Sequence, residues 1–134
     1  MQPVESAISV VLADDDAEYL DSLRALVEQQ PGLHVVAVAL DGLEAVEHVG
    51  AIDPDAVVID LHMPRMDGIS AVKQLRREHP RLCLIALTGD PDPALHRAAE
   101  AAGADAVMLK GQMLEGLSDR IATVRREREA SAVP

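Results

Sequence analysis

Aromatic side chains are almost missing from this chain. Its 134 residues hold one tyrosine, Tyr19, and no phenylalanine or tryptophan. Any core must therefore be built from Val, Leu, Ile, Ala and Met, and an apolar share of 49% is enough for one domain of this length. A single cysteine, Cys83, excludes an internal disulfide and fits a reducing cytosol. No stretch of about 18 apolar residues occurs, so no membrane span is expected. The N-terminus lacks the basic region and apolar stretch of a signal peptide. Positive charge is scarce as well: 12 Lys and Arg face 23 Asp and Glu, a net charge of −11. That balance argues against a nucleic-acid or anionic-membrane surface, because phosphate backbones need clustered Lys and Arg. Neither a Walker-A pattern nor a Gly-x-Gly-x-x-Gly run is present, so no loop is suited to cradle a nucleoside phosphate.

What the chain does have is a regular alternation. Ile8 to Ala13 is almost wholly apolar and reads as a strand buried on both faces. It stops at Asp14-Asp15-Asp16, where helical spacing begins. Tyr19, Leu23, Leu26 and Val27 are expected on the inward face, with Asp15 or Asp16 as the N-cap. Pro31-Gly32 closes that helix. Leu33 to Leu40 reads as a second strand, and a short helix follows with Leu43, Val46 and Val49 inward. Val57-Val58-Ile59 forms a third strand ending in Asp60. Asp67-Gly68 opens a helix to His79, with Ile69, Val72 and Leu75 on one side. Leu82 to Leu87 is a fourth strand, ending at Thr88-Gly89-Asp90. An Ala-rich helix from about Ala94 to Ala102 ends at Gly103. Ala106 to Leu109 is a short fifth strand, ending at Lys110-Gly111. The last helix is expected from about Met113 past Arg126, with Leu114, Leu117, Ile121 and Val124 as its stripe. We divide the chain into a lead-in (1–7), one α/β domain (8–128) and a tail or linker start (129–134).

Five strands alternating with five helices call for right-handed crossovers and a parallel sheet covered on both faces. Parallel strands share one exit rim. Asp14 and Asp15, Asp60, Thr88 and Lys110 would meet there, with Asp41 the only contribution of the second strand. Three carboxylates in one place repel unless they are protonated or share a cation. Oxygen donors without His or Cys favour a hard ion, Mg²⁺ before Ca²⁺. A carboxylate such as Asp60 can act as a nucleophile and form an aspartyl-phosphate. Lys110 would neutralise phosphoryl oxygens, and the Thr88 hydroxyl would bond another. With no nucleoside-binding loop, the phosphoryl donor must be another protein or a small molecule.

These residues resemble a response-regulator receiver domain of two-component signalling. The resemblance rests on Asp14-Asp15, on Ile-Asp-Leu-His-Met-Pro-Arg-Met-Asp-Gly around Asp60, on Leu87-Thr88-Gly89, and on Ala-Gly-Ala-Asp-Ala-Val-Met-Leu-Lys ending at Lys110. It covers about residues 8 to 128 and is most similar to receivers of the LuxR-type helix-turn-helix (NarL/FixJ-like) subfamily. It implies a flavodoxin-like (βα)5 domain with strand order 2-1-3-4-5. It implies that Asp60 takes a phosphoryl group from a histidine kinase, and that Asp14, Asp15, Asp60 and the backbone carbonyl of His62 hold Mg²⁺. It implies that Thr88 and Lys110 contact the phosphoryl group and relay the change. Such a domain is a cytoplasmic switch rather than an enzyme with an external substrate. It would control transcription through a C-terminal DNA-binding domain outside this chain, which itself binds no nucleic acid or membrane.

Two positions depart from the family pattern. Val107 stands where receivers usually carry an aromatic residue that swings inward. Gly111 follows Lys110 where many receivers have proline. A phosphorylation-independent pseudo-receiver is therefore the alternative reading, opposed by the intact Asp60, Thr88 and Lys110. A phosphohydrolase resembling haloacid dehalogenases would need a second acid two residues past Asp60, where His62 stands. Taken alone, each piece has a plainer reading: Asp14-Asp15-Asp16 as a solvated helix start, Thr88-Gly89 as a strand exit, Lys110 as a surface residue. His34, His48, His79 and His96 show no metal-ligand spacing. Cys83 reads as a buried small hydrophobe. A homodimer through the last helix or the Ala-rich helix is left open.

Overall fold

The computed structural model of the chain describes residues 7–63, 65–111 and 116–132. Most of the lead-in, Pro64, and the expected helix start at Met113 and Leu114 lie outside the described residues. Five strands alternate with five helices. They are β1 (Ile8–Ala13), α1 (Ala17–Glu28), β2 (Leu33–Ala39), α2 (Gly42–Ile52), β3 (Ala56–Asp60), α3 (Gly68–Glu78), β4 (Cys83–Thr88), α4 (Pro93–Ala102), β5 (Ala106–Leu109) and α5 (Leu117–Ala132). All strand pairings are parallel, in the order β2-β1-β3-β4-β5. This is the flavodoxin-like arrangement that the resemblance implies. α5 passes the boundary set at residue 128.

The apolar runs of the central strands follow from burial on both faces. Along β1, Val10 and Leu12 pack into one cluster and Val11 and Ala13 into the other. Along β3, Val58 and then Val57 and Ile59 divide in the same way, as do Ile85 and Leu87 against Leu84 and Ala86 in β4. One cluster is closed by Leu20, Leu23 and Val27 of α1 and by Leu117, Ile121 and Val124 of α5. The other is closed by Ala45 and Val49 of α2, by Ala71, Val72 and Leu75 of α3, and by Ala99 and Ala102 of α4. Cys83 is fully buried in β4.

Two inward faces differ from the sequence reading. In α1, Leu20 takes the buried place and Leu26 is 45% exposed. The stripe Leu20-Leu23-Val27 satisfies helical periodicity as well as the expected one, and the packing of α1 against β1 and β2 selects it. In α2, Gly42 and Ala45 are buried while Leu43 is 38% exposed. The cause is a close approach: a Cβ on Gly42 would overlap the Met66 carbonyl, so α2 meets the loop after β3 with its small residues.

Candidate functional site

The exits of β1, β3, β4 and β5 lie on one rim, and backbone bonds beyond the strand ends keep it in register. Asp14 N donates to Ala39 O (3.0 Å), Leu61 N to Leu87 O (3.0 Å) and Lys110 N to Thr88 O (2.8 Å). Each rim side chain is thus rooted in the sheet ladder rather than in a free loop. Asp14 and Thr88 are fully buried and Asp60 is 3% exposed. Asp15 and His62 are exposed at the same rim.

Local turns aim the carboxylates. Asp14 Oδ1 accepts from Asp16 N (2.9 Å) and Asp60 Oδ1 accepts from His62 N (3.2 Å), the same side-chain turn used twice. Asp16 is the N-cap of α1, its Oδ1 accepting from Glu18 N and Tyr19 N. Because Asp16 caps the helix, Asp15 is left to face the rim. Carboxylate oxygens of Asp14, Asp15 and Asp60 lie within 4.8 Å of one another. After Asp60 the chain turns so tightly that a Cβ on Gly68 would overlap Asp60 O and Leu61 Cα. The N-terminus of α3, capped by Asp67 through Ser70 N (2.9 Å), therefore sits directly against the end of β3.

Lys110 fills the space between the buried acids. Its Nζ lies 2.7 Å from Asp14 Oδ2 and 3.3 Å from Asp60 Oδ2. The first contact is an ion pair off the axis of a directed hydrogen bond, and Asp14 Oδ2 has no hydrogen-bond partner among the described residues. Burial raises the Asp60 pKa above its usual 3.8, and the Asp14 charge adds to this; the His62 N–H and the Lys110 ammonium pull it down without cancelling it. Burial alone would lower the Lys110 pKa, but its contacts with Asp14 and Asp60 outweigh that and raise it above 10.5. The Thr88 hydroxyl accepts from Asp90 N (3.0 Å), which leaves its proton for another acceptor.

The donor set fits a hard divalent cation. Three carboxylates converge, all the donors are oxygens, and one buried oxygen carries no hydrogen bond. Against these three negative charges stands one ammonium, so the rim keeps a negative surplus that a dication would neutralise. Every rim residue singled out from sequence is brought together except Asp41. That residue caps α2 and pairs with Arg65 (2.8 Å) across the loop after β3. Arg65 has a left-handed φ of 63°. The sequence reading also missed Tyr19, assigned to core packing. Its ring centroid lies 4.5 Å from Lys110 Nζ. The available signal was that the chain's one aromatic residue stands in the first turn after Asp14-Asp15.

Val107 is half-buried against the α2–α4 side of the core. Gly111 has a φ of 87°, a conformation closed to proline, so the loop after β5 leaves the sheet by a route that a proline-bearing loop does not take.

A family model described as the response regulator receiver domain matches residues 10–122. Among curated proteins, a protein-glutamate methylesterase/protein-glutamine glutaminase 1 of Oleidesulfovibrio alaskensis is 39% identical over 100 residues, which are 73% of this chain and 27% of that protein. The chain thus spans about a quarter of that relative's length. Among solved structures, a LuxR-family two-component response regulator from Aurantimonas sp. superposes with a TM-score of 0.81 at 26% identity, covering 96% of this chain and 99% of that one. The isolated receiver domain of RcsB from Salmonella enterica serovar Typhimurium, solved with a phosphomimetic, gives 0.79 at 27% identity, covering 90% of this chain and 89% of that one.

Proposed function

The chain belongs to the response regulator receiver domain family, and from that premise we propose that Asp60 is its phosphoacceptor in a Mg²⁺-dependent reaction. The observation that carries the proposal is the convergence of three carboxylates within 4.8 Å of one another, two of them in contact with the Lys110 ammonium. Asp60 ends a strand with its oxygens at the rim, held by His62 N on one side and Lys110 on the other. An Asp60 oxygen forms the new P–O bond. The bond from phosphorus to the donor breaks, and its electron pair leaves with the donor, a histidine imidazole in a sensor kinase. Asp14, Asp15 and Asp60 would hold the Mg²⁺, with the backbone carbonyl of His62 as a further ligand, and the ion would supply positive charge against the phosphoryl oxygens. Lys110 pairs with one such oxygen and Thr88 donates its hydroxyl proton to another. Phosphorylation then shifts an existing conformational equilibrium of the output face.

Residues 8–128 form the working unit, with a histidine kinase as partner, and dimerisation through α5 or α4 belongs to the same proposal. A cytoplasmic setting belongs to the same proposal; among the described residues no helix is long and apolar enough to cross a membrane. The output is a DNA-binding domain, supported by the likeness to a LuxR-family regulator. The methylesterase relative favours a second reading, in which the switch governs an attached esterase.

Intact-mass spectrometry after incubation with Mg²⁺ and acetyl phosphate tests the acceptor. The expected result is a gain of one phosphoryl group in the chain as it stands and none in Asp60→Asn. A gain that survives in the variant would place the phosphoryl group elsewhere.

A further inference from the structure

The one aromatic side chain of the molecule stands beside the half-buried ammonium of Lys110. Tyr19 lies in the first turn of α1, and its backbone N–H is fixed by the Asp16 cap at 3.2 Å. The turn that carries Asp14 and Asp15 therefore also sets the root of the ring. The ring packs on the α1–α5 side of the core, and its centroid is 4.5 Å from Lys110 Nζ. The phenol oxygen is buried with no hydrogen-bond partner among the described residues. A polar atom left without a partner costs free energy, so the ring is not placed here for its hydroxyl. Its π-face is what meets the ammonium, and cation–π attraction grows as water is excluded.

We propose that Tyr19 is a positioning residue for phosphoryl transfer, its ring face holding the Lys110 ammonium at the rim next to Asp14 and Asp60. This rests on the assignment of Asp60 and Lys110 made above. Lys110 has two kinds of partner. The carboxylates are also the candidate ligands of a cation, and a cation bound to them would compete with the ammonium. The ring has no such competitor. It keeps Lys110 at the rim when the acids are engaged, instead of letting a flexible four-carbon stem swing into solvent. With Val107 at the usual aromatic position, this ring is the aromatic element of the site.

The test uses the 134-residue chain with Tyr19→Leu, Tyr19→Phe and Lys110→Met. Phosphorylation by acetyl phosphate in Mg²⁺ is followed by intact mass, with folding checked by circular dichroism. Tyr19→Leu is expected to slow the reaction about 2- to 30-fold, and Tyr19→Phe, which keeps the π-face, to stay within about twofold of the parent. Tyrosine emission supplies a second readout, since the chain has one tyrosine and no tryptophan. It is expected to differ between the parent and Lys110→Met, whether or not Tyr19→Leu folds. An unaffected Leu variant, a Phe variant as slow as Leu, or identical emission spectra would each overturn the proposal. A parent that takes no phosphoryl group at all would overturn the Asp60 assignment and this inference with it.

Discussion

At Asp60, burial opposes the charge that the proposed phosphoryl transfer needs. The folded pKa lies above the usual 3.8, with desolvation as the leading cause. The fold therefore favours the protonated acid. That contribution is complete below the unfolded value and is lost as pH rises through the folded one. At pH 7 this buried carboxyl is a net cost in metal-free buffer. Asp60→Asn is accordingly expected to raise the melting temperature there by a few degrees, an advantage that vanishes below about pH 3.8, the ordinary carboxylate value. Mg²⁺ should shrink or reverse the difference, since it stabilises the parent and loses a ligand in the variant. Thermal melts at pH 3 and pH 7, with and without Mg²⁺, check this; an unstabilised variant at pH 7 without metal would contradict it.

Among the elements, the exit rim is not the only place where several meet. At the opposite edge of the sheet Arg76 ties α3 to its neighbours. Its guanidinium donates to Gly103 O (3.0 Å) at the end of α4, to Pro80 O (2.9 Å) and Leu82 O (2.8 Å) before β4, and to Asp105 Oδ2 (2.8 Å) before β5. Asp105 Oδ2 also accepts from Leu84 N (2.8 Å). Arg76→Ala strips two part-buried carbonyls, one exposed carbonyl and a part-buried carboxylate of a donor and is expected to cost about 2–4 kcal/mol in urea unfolding. Arg76→Lys should recover only a small part, because an ammonium cannot match the planar fork. Phosphorylation per folded molecule should be unchanged, as Arg76 is remote from the rim.

None of that Arg76 geometry was legible in the sequence. All but one of the partners named for it are backbone carbonyls from separate loops, and no residue pattern marks a carbonyl. The strands were readable because burial on both faces leaves unbroken apolar runs. The rim was readable because Asp14, Asp60, Thr88 and Lys110 each stand where such a run ends. The faces of α1 and α2 were not, for periodicity names a stripe without saying which neighbour it meets. Leu26 and Leu43 fit their stripes and still point outward. Tyr19 was read as core alone for a related reason: it packs on the core edge and beside Lys110 at once, and the edge of a core and the wall of a site have the same helical spacing.

For the molecule as a whole, a net charge of −11 makes the folded state repel itself. Cations should stabilise it in two distinguishable ways. NaCl acts by screening and should raise the melting temperature modestly, levelling off as the Debye length falls to about 8 Å near 0.15 M. Mg²⁺ should add a specific gain that continues with its concentration, about 2.7 kcal/mol at 100 times its dissociation constant. In Asp14→Asn the specific part should fall away and the screening part remain. Equal Mg²⁺ responses in parent and variant, measured at constant ionic strength, would mean that the acids bind no ion.

The ammonium lying between Asp14 and Asp60 is, in effect, a competitor covalently attached to the protein. It cannot be diluted away, so an incoming ion meets it at a fixed local concentration. A monovalent ion that displaces it trades one positive charge for another and gains almost nothing. A divalent ion gains a full charge in surroundings where water screens poorly. On the proposed function the rim would sort ions by valence before it sorts them by size, and the side chain that guards it in one state would be the one freed to meet new negative charge in the next.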